Sequence, residues 1–204
     1  FWGFHELSGS VITLFADRNV NLEWIDAAQS NAINPVFIIL LSIPVSLLFT
    51  WLSKKNLNPR TPYKFGLGLA FAGISFYILA LSGGSADENG MVPFSYLMIM
   101  YFFLSVGELF MSPVGLSKIT DLSPKRIVAF MMGVWFLSSA FAFQIVGFIG
   151  KQLAIESDNP DVRGFETLDV YTGGFELIAQ YALAAGIIVL VTAPLMKRLM
   201  GNVH

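Results

Sequence analysis

One carboxylate, Glu108, stands in an apolar run from Pro93 to Leu116 that holds no other charge. An ionised group at bilayer depth is costly, so it needs a counter-charge, water or a proton, and it marks a functional position. Ser105, Glu108, Ser112 and Gly115 recur every three or four residues and share one helical face, with Pro113 in the middle of the run. On the helix expected at the start of the chain Glu6, Ser10, Thr13 and Asp17 are spaced by four, three and four and form a second polar stripe. Polar stripes of this kind face a bundle interior or a watery cavity rather than lipid. For the serines, the threonine and the glycine, close helix packing is the alternative reading.

The two carboxylates have fewer alternatives. Apart from Lys64 at the very end of one run, no Lys or Arg lies within an apolar run, so neither Glu6 nor Glu108 is expected to find an intramembrane basic partner in this chain unless a terminal residue reaches inward. Burial opposes the charged carboxylate and a nearby cation favours it, which suits a group that exchanges a proton for a cationic partner. That partner is either a substrate amine or a base on other helices, the latter making a structural salt bridge. His5 adjoins Glu6 but points about 100° away from it on a helix. With only His5 and His204, and no cysteine, no metal site is expected. Asn34, before Pro35, offers an amide that both donates and accepts, and equally suits a helix N-cap with proline in the first turn. Trp135 lies too deep in its run for an interfacial anchor, leaving a cavity wall or ordinary aromatic packing.

The elements that must position these groups are membrane helices. The chain has 204 residues, 55% hydrophobic and 13% charged, with a mean hydropathy of +0.66, beyond what a soluble domain needs for its core. A net charge of -2 argues against an electrostatic nucleic-acid binder. The apolar spans run approximately over residues 1–15, 34–52, 63–81, 93–116, 127–150 and 175–196. The first, about 15 residues and roughly 22 Å, is shorter than a bilayer core of about 30 Å. The chain is therefore expected to begin inside a helix, with more of the protein upstream. Breakers at Asn58-Pro59, Thr61-Pro62, Gly83-Gly84 and Ser123-Pro124 separate the spans. The stretch from Lys151 to Gly174 is polar and acidic and reads as a surface loop.

Charge orients the bundle. Lys54, Lys55, Arg60, Lys64, Lys118, Lys125, Arg126, Lys197 and Arg198, nine of the twelve basic residues, fall on one side. The positive-inside rule makes that side, and the C-terminus, cytoplasmic. Six spans divide into residues 1–82 and 92–198, two three-helix units of opposite topology. No nucleophile or metal set suggests an enzyme.

Four motifs in order then carry a resemblance: Glu6-Leu7-Ser8-Gly9-Ser10 with Leu14-Phe15-Ala16-Asp17-Arg18-Asn19, Asn34-Pro35, Gly107-Glu108-Leu109-Phe110-Met111-Ser112-Pro113-Val114-Gly115-Leu116-Ser117, and Met131-Met132-Gly133-Val134-Trp135-Phe136-Leu137. Together they resemble the proton-dependent oligopeptide transporters (the POT or PTR family) of the major facilitator superfamily, over essentially the whole chain. The resemblance implies an all-α membrane protein whose six helices form the C-terminal bundle, helices seven to twelve, of an alternating-access transporter. It implies symport of di- and tripeptides with protons as coupling ion and no other cofactor, in a bacterial inner membrane, with an N-terminal bundle of the same protein and the lipid bilayer as partners.

By matching position, Glu108 binds the peptide amino end and pairs with a lysine of the other bundle. Asn34 lies near that amine, and Trp135 lines a side-chain pocket. Glu6 and Asp17 match positions for peptide binding and outer-gate salt bridges, and Ser112 shares the face of Glu108. Leu7 replaces the glutamine usual after the first glutamate. The alternatives are a major-facilitator carrier of another solute such as nitrate, and a non-transporting scaffold whose carboxylates are structural ion pairs. Without the other bundle the polar stripes would face lipid, so the chain expressed alone should take up no labelled dialanine into liposomes; robust uptake would refute the half-transporter reading.

Overall fold

The computed structural model describes residues 1–152 and 164–199, and nearly all of them are helical. Helices α1 (Trp2–His5) and α2 (Val11–Asn19) flank a 3-10 turn at Glu6–Gly9, and a second 3-10 turn at Gln29–Ala32 leads into α3 (Ile33–Lys54). There follow α4 (Thr61–Leu81), α5 (Phe94–Leu122), α6 (Val128–Gln152) and α7 (Phe165–Leu199). Two short strands, β1 (Val20–Asn21) and β2 (Val92–Pro93), pair in parallel. Five stretches, carried by α3 to α7, are long and apolar enough to cross a membrane.

The expected single helix over residues 1–15 is broken. Ser10 leaves the helical region at φ -130° and ψ -88°, following Gly9, which weakens a helix interior. The break is stable because the freed groups find partners: Thr13 Oγ1 donates to the Ser8 carbonyl at 2.9 Å and the Leu14 amide to Ser10 at 3.1 Å. Glu6 therefore lies in the 3-10 turn, off the helix that carries Thr13 and Asp17, and the four-residue polar stripe is interrupted.

The acidic stretch before residue 175 also differs from its expected loop. Helix α7 already begins at Phe165. Leu168, Tyr171, Phe175, Ile178, Ala179 and Ala182 recur at helical spacing and are buried, so the acids Glu166 and Asp169 simply occupy the exposed face. Residues 153–163 lie outside the described residues. The remaining spans extend past their expected ends, by six residues at the C-terminal end of α5.

Glycines let α4 sit at the centre, packed chiefly against α7 and α5. A Cβ at Gly66 would meet Leu190 at 2.6 Å, one at Gly73 would meet Leu183 at 2.6 Å, and one at Gly186 would approach the Gly66 carbonyl at 3.1 Å. Toward α5, a Cβ at Gly107 would come within 2.8 Å of the Gly68 carbonyl. Small residues permit this approach where apolar side chains gain nothing by leaving lipid. An aromatic cluster fills the other end: Phe15 stands edge-on to Phe175 at 5.1 Å and to Tyr171 at 5.7 Å.

Above that cluster Asn19, fully buried, ties three segments together. Its Nδ2 donates to the carbonyls of Gly90 at 3.1 Å and Gly164 at 2.9 Å, while its Oδ1 accepts from Thr167 Oγ1 at 2.9 Å. Gly90, at φ +74°, lies so close to the start of α7 that a Cβ would meet the Gly164 carbonyl carbon at 2.5 Å. Asn19→Ala would leave the Gly90 carbonyl without its donor and cut the link to α7, although Thr167 Oγ1 at 2.9 Å and the Leu168 amide at 3.0 Å still donate to the Gly164 carbonyl. We expect a loss of about 1–3 kcal/mol, visible as a lowered Tm of the detergent-purified protein, and a comparable loss for Gly90→Ala.

Candidate functional site

The Gly68/Gly107 crossing fixes the level of the residue that follows it, Glu108. The same approach brings Phe1 of the first segment within 3.3 Å of the position a Gly107 Cβ would take. The ring of His5 is stacked on Phe1 at 6.0 Å and meets Trp2 edge-on at 5.5 Å. Held this way, His5 Nε2 lies 3.1 Å from Glu108 Oε2. Asn34, at the start of α3, donates through Nδ2 to the same oxygen at 3.3 Å, and that Nδ2 lies 3.4 Å from His5 Nε2. Ser105, one turn before Glu108, donates from Oγ to the Asn34 carbonyl at 3.4 Å. Three segments distant in sequence thus converge on one carboxylate oxygen.

Burial sets the chemistry. Asn34 is 8% exposed, and the side chains of His5 and Glu108 are 19% and 20% exposed. With Glu108 ionised, His5 donates from Nε2 and Asn34 from Nδ2, and Oε2 accepts both. With Glu108 protonated, its hydroxyl can donate to a neutral Nε2 instead. His5 Nδ1 is buried and has no hydrogen-bond partner among the described residues. The 3.1 Å contact lets a proton sit on either Nε2 or Oε2. A ligand ammonium offers the carboxylate a full positive charge in place of the imidazole, which is charged only if protonated.

This corrects the expectation that Glu108 lacks a basic partner within the chain. The partner is a histidine, charged only when protonated, and not a Lys or Arg. The angle between His5 and its neighbour Glu6 carries no sign of a partner 103 positions away. The N-cap reading of Asn34 is not met, since α3 has Ala32 at its N-cap with no side-chain cap bond and the Asn34 amide donates to Glu108 instead.

The remaining candidates stand at graded distances from this cluster. Ser112, one turn beyond Glu108, is half-buried on the same face of α5. Trp135 of α6 packs its ring over Gly115, where a Cβ would collide with it, and lies 6.5 Å from the ring of Phe65. That contact is seven residues past Glu108, about 10 Å along the helix. Glu6, half-buried in the 3-10 turn, has no described hydrogen bond or ion pair. Asp17 occupies the exposed face of α2 beside Arg18, whose Nη1 reaches the Tyr171 hydroxyl at 3.5 Å. No group of three or more His, Cys, Asp or Glu residues suited to a metal occurs among the described residues.

A bundle of long apolar helices with a part-buried carboxylate, histidine and amide on broken or proline-marked helices is an arrangement that secondary transporters use. The chain belongs to the POT family, whose model matches residues 1–162. It is 33% identical to dipeptide and tripeptide permease B of Aliivibrio fischeri over 194 residues, 93% of this chain and 39% of that protein. The corresponding permease B of Salmonella typhimurium is 29% identical, covering 94% of this chain and 40% of that protein.

Among solved structures, a glutamate-to-glutamine mutant of a peptide transporter POT in complex with alafosfalin superposes with a TM-score of 0.82 at 33% identity, over 98% of this chain and 39% of that one. A POT family transporter in complex with a thioalcohol-conjugated peptide gives 0.76 at 28% identity, over 95% of this chain and 38% of that one. The chain thus spans about two fifths of the length of the relatives it matches. These relatives are transporters, not enzymes.

If His5 and Asn34 support Glu108 as a unit, losses within the unit should not add. Thermal unfolding of His5→Ala, Glu108→Gln and the double variant should give a coupling of about 0.5–3 kcal/mol, with the double variant less harmed than the sum. Strict additivity would show that the pair is not formed.

Proposed function

We propose that this chain is the C-terminal bundle of a proton-coupled symporter for di- and tripeptides, working by alternating access in a bacterial inner membrane. In this reading the broken segment 2–19 is the first of six membrane helices. Residues 1–82 and 92–198 form two inverted three-helix units, the basic helix ends and the C-terminus face the cytoplasm, and an N-terminal bundle completes the central cavity.

The observation that carries this reading is the Glu108 cluster. A carboxylate held by a histidine and an amide, with no Lys or Arg on it among the described residues, suits a peptide ammonium. Asn34 and Ser112 flank that position, and Glu6 is left to meet the peptide or the other bundle. Trp135, about 10 Å along α5, bounds the far end of the site. An extended tripeptide reaches about 10 Å at 3.3–3.6 Å per residue, so the interval suits two or three residues and not a long chain. Asp17, at the outer end, suits a gate salt bridge to the missing half. An anionic solute such as nitrate would meet an unfavourable carboxylate here.

Proton coupling follows if ligand and proton compete for, or jointly neutralise, Glu108 and Glu6. Each charge moved down the potential supplies about 2.3 kcal/mol per 100 mV, and each pH unit about 1.4 kcal/mol. Protonation drives transport only if it alters the balance of outward and inward states, since equal affinity for both shifts nothing.

The test is labelled dialanine uptake by the complete protein in liposomes under an inward proton gradient. Wild type should accumulate dialanine, and a folded Glu108→Gln variant should lose at least about tenfold of gradient-driven uptake while keeping most of its stability. Uptake retained in the variant would move the essential chemistry elsewhere. No wild-type uptake would favour another solute, or a scaffold in which Glu108 is a structural ion-pair residue.

A further inference from the structure

A second site lies at the basic end of the bundle. Between the C-terminal half of α3, the start of α4 and the second half of α5 is a cavity of about 1150 Å³. Lys54, Arg60, Lys64 and Lys118 line it, together with a wall of serines and a threonine on α3, and no carboxylate is among the lining residues. The acid at its rim is Asp121, which pairs with Lys118 at 3.0 Å and is 47% exposed. Lys64 is held over the ring of Phe49 at 4.0 Å, inside the cavity wall. Asn58, also in the lining, buries a side-chain oxygen that accepts no hydrogen bond among the described residues.

This cavity is not the Glu108 site. Its α5 wall is Leu109, Pro113, Val114, Ser117 and Lys118, while Glu108 and Ser112, one residue before Leu109 and Pro113, are turned about 100° from them and are not in the lining. On α3, the wall residues Ser42, Ser46 and Ser53 border a different surface. Ile39, Ile43, Leu47 and Trp51, also spaced by four, form an apolar ridge in which every side chain is at least half exposed, with Lys55 over the Trp51 ring at 4.1 Å. A cationic, hydroxyl-rich cavity thus opens beside an apolar ridge at one end of a membrane helix.

We propose that the cavity seats the headgroup of an anionic phospholipid of the inner leaflet and that its acyl chains lie along the Ile39–Trp51 ridge. The chemistry fits part by part. Arg60 and the lysines neutralise the phosphodiester, which a basic pocket between helices on the cytoplasmic side is suited to hold. A headgroup hydroxyl, as in phosphatidylglycerol, donates to the Asn58 oxygen. The ridge supplies apolar contact that a free phosphate or a soluble anion would not use. Trp51 and Lys55 stand where an aromatic ring and an ammonium anchor a helix at the interface. The site is independent of what solute the protein carries.

The experiment is native mass spectrometry of the delipidated complete protein after exposure to phosphatidylglycerol or phosphatidylcholine of the same acyl chains, repeated with excess inorganic phosphate. We expect retained phosphatidylglycerol, little phosphatidylcholine, and weak displacement by phosphate. Lys54→Gln with Arg60→Gln should weaken that preference by roughly tenfold to thirtyfold, the factor for two basic groups near an anionic headgroup. Lys125→Gln with Arg126→Gln removes the same charge from exposed positions outside the cavity and should change it little. Arg60→Lys, which keeps the charge, controls for misfolding of the double variant and should retain most of it.

Equal retention of both lipids, or equal loss in the two double variants, would overturn the proposal. Full displacement by phosphate would assign the cavity to a free anion instead. Absence of any lipid from the wild type would show that another part of the protein covers it.

Discussion

A carboxylate placed within a low-dielectric bundle must be matched by donors, and this requirement organises the chain around Glu108. The group needs more than one partner, and its own helix supplies none. His5 and Asn34 meet it from two other segments, 103 and 74 positions away. Each partner then acquires constraints of its own. The His5 ring is fixed between Phe1 and Trp2, and Asn34 forgoes the capping bond its place before Pro35 would otherwise favour. The site is thus built by satisfying one buried acceptor.

The glycines and the helix break serve the same end. Helices in a membrane gain little from apolar contact, so their positions are set by how closely backbones can approach. Gly68 and Gly107 let α5 touch α4 one residue before Glu108, while Gly66, Gly73 and Gly186 lock α4 to α7 on another face. The first segment could not follow this surface as a straight helix. Breaking at Gly9 and Ser10 lets His5 face Glu108 while Phe15 enters the aromatic cluster with Tyr171 and Phe175. Asn19 then closes the far end by binding the α4–α5 connection and the start of α7 at once. A discontinuous helix that carries a site at its break is a physical solution suited to a moving bundle, because it concentrates polar backbone where a cavity can satisfy it.

The two ends of the molecule differ in their electrostatics as well as in their packing. The Asn19 end is tied by neutral hydrogen bonds to backbone carbonyls, with acids on its exposed faces. The opposite end gathers Lys54, Arg60, Lys64 and Lys118 around one cavity. Between them lies the His5–Asn34–Glu108 cluster, in which the only formal charge pairing depends on a proton.

Much of this was legible in the amino-acid sequence. Long apolar runs fixed the class and most helix positions, because the span of a bilayer dictates a length that composition reveals directly. Glu108 announced itself as an isolated charge, and Asn34 as an amide before proline. Ser112 followed from a four-residue spacing. The start of α7 was obscured because its acids mask the apolar period of Leu168, Tyr171 and Phe175 when hydropathy is averaged. The Gly66, Gly68 and Gly73 pattern is a local sign of close helix approach, though not of which helices approach. What only the tertiary structure decided was pairing at a distance: that His5 meets Glu108, that Asn19 joins Gly90 to Gly164, that Trp135 rests on Gly115, and that the first helix breaks at Ser10. Periodicity places a residue on a face of its own helix, but which face of another helix it meets depends on crossings set by backbone contact, and no local pattern encodes those.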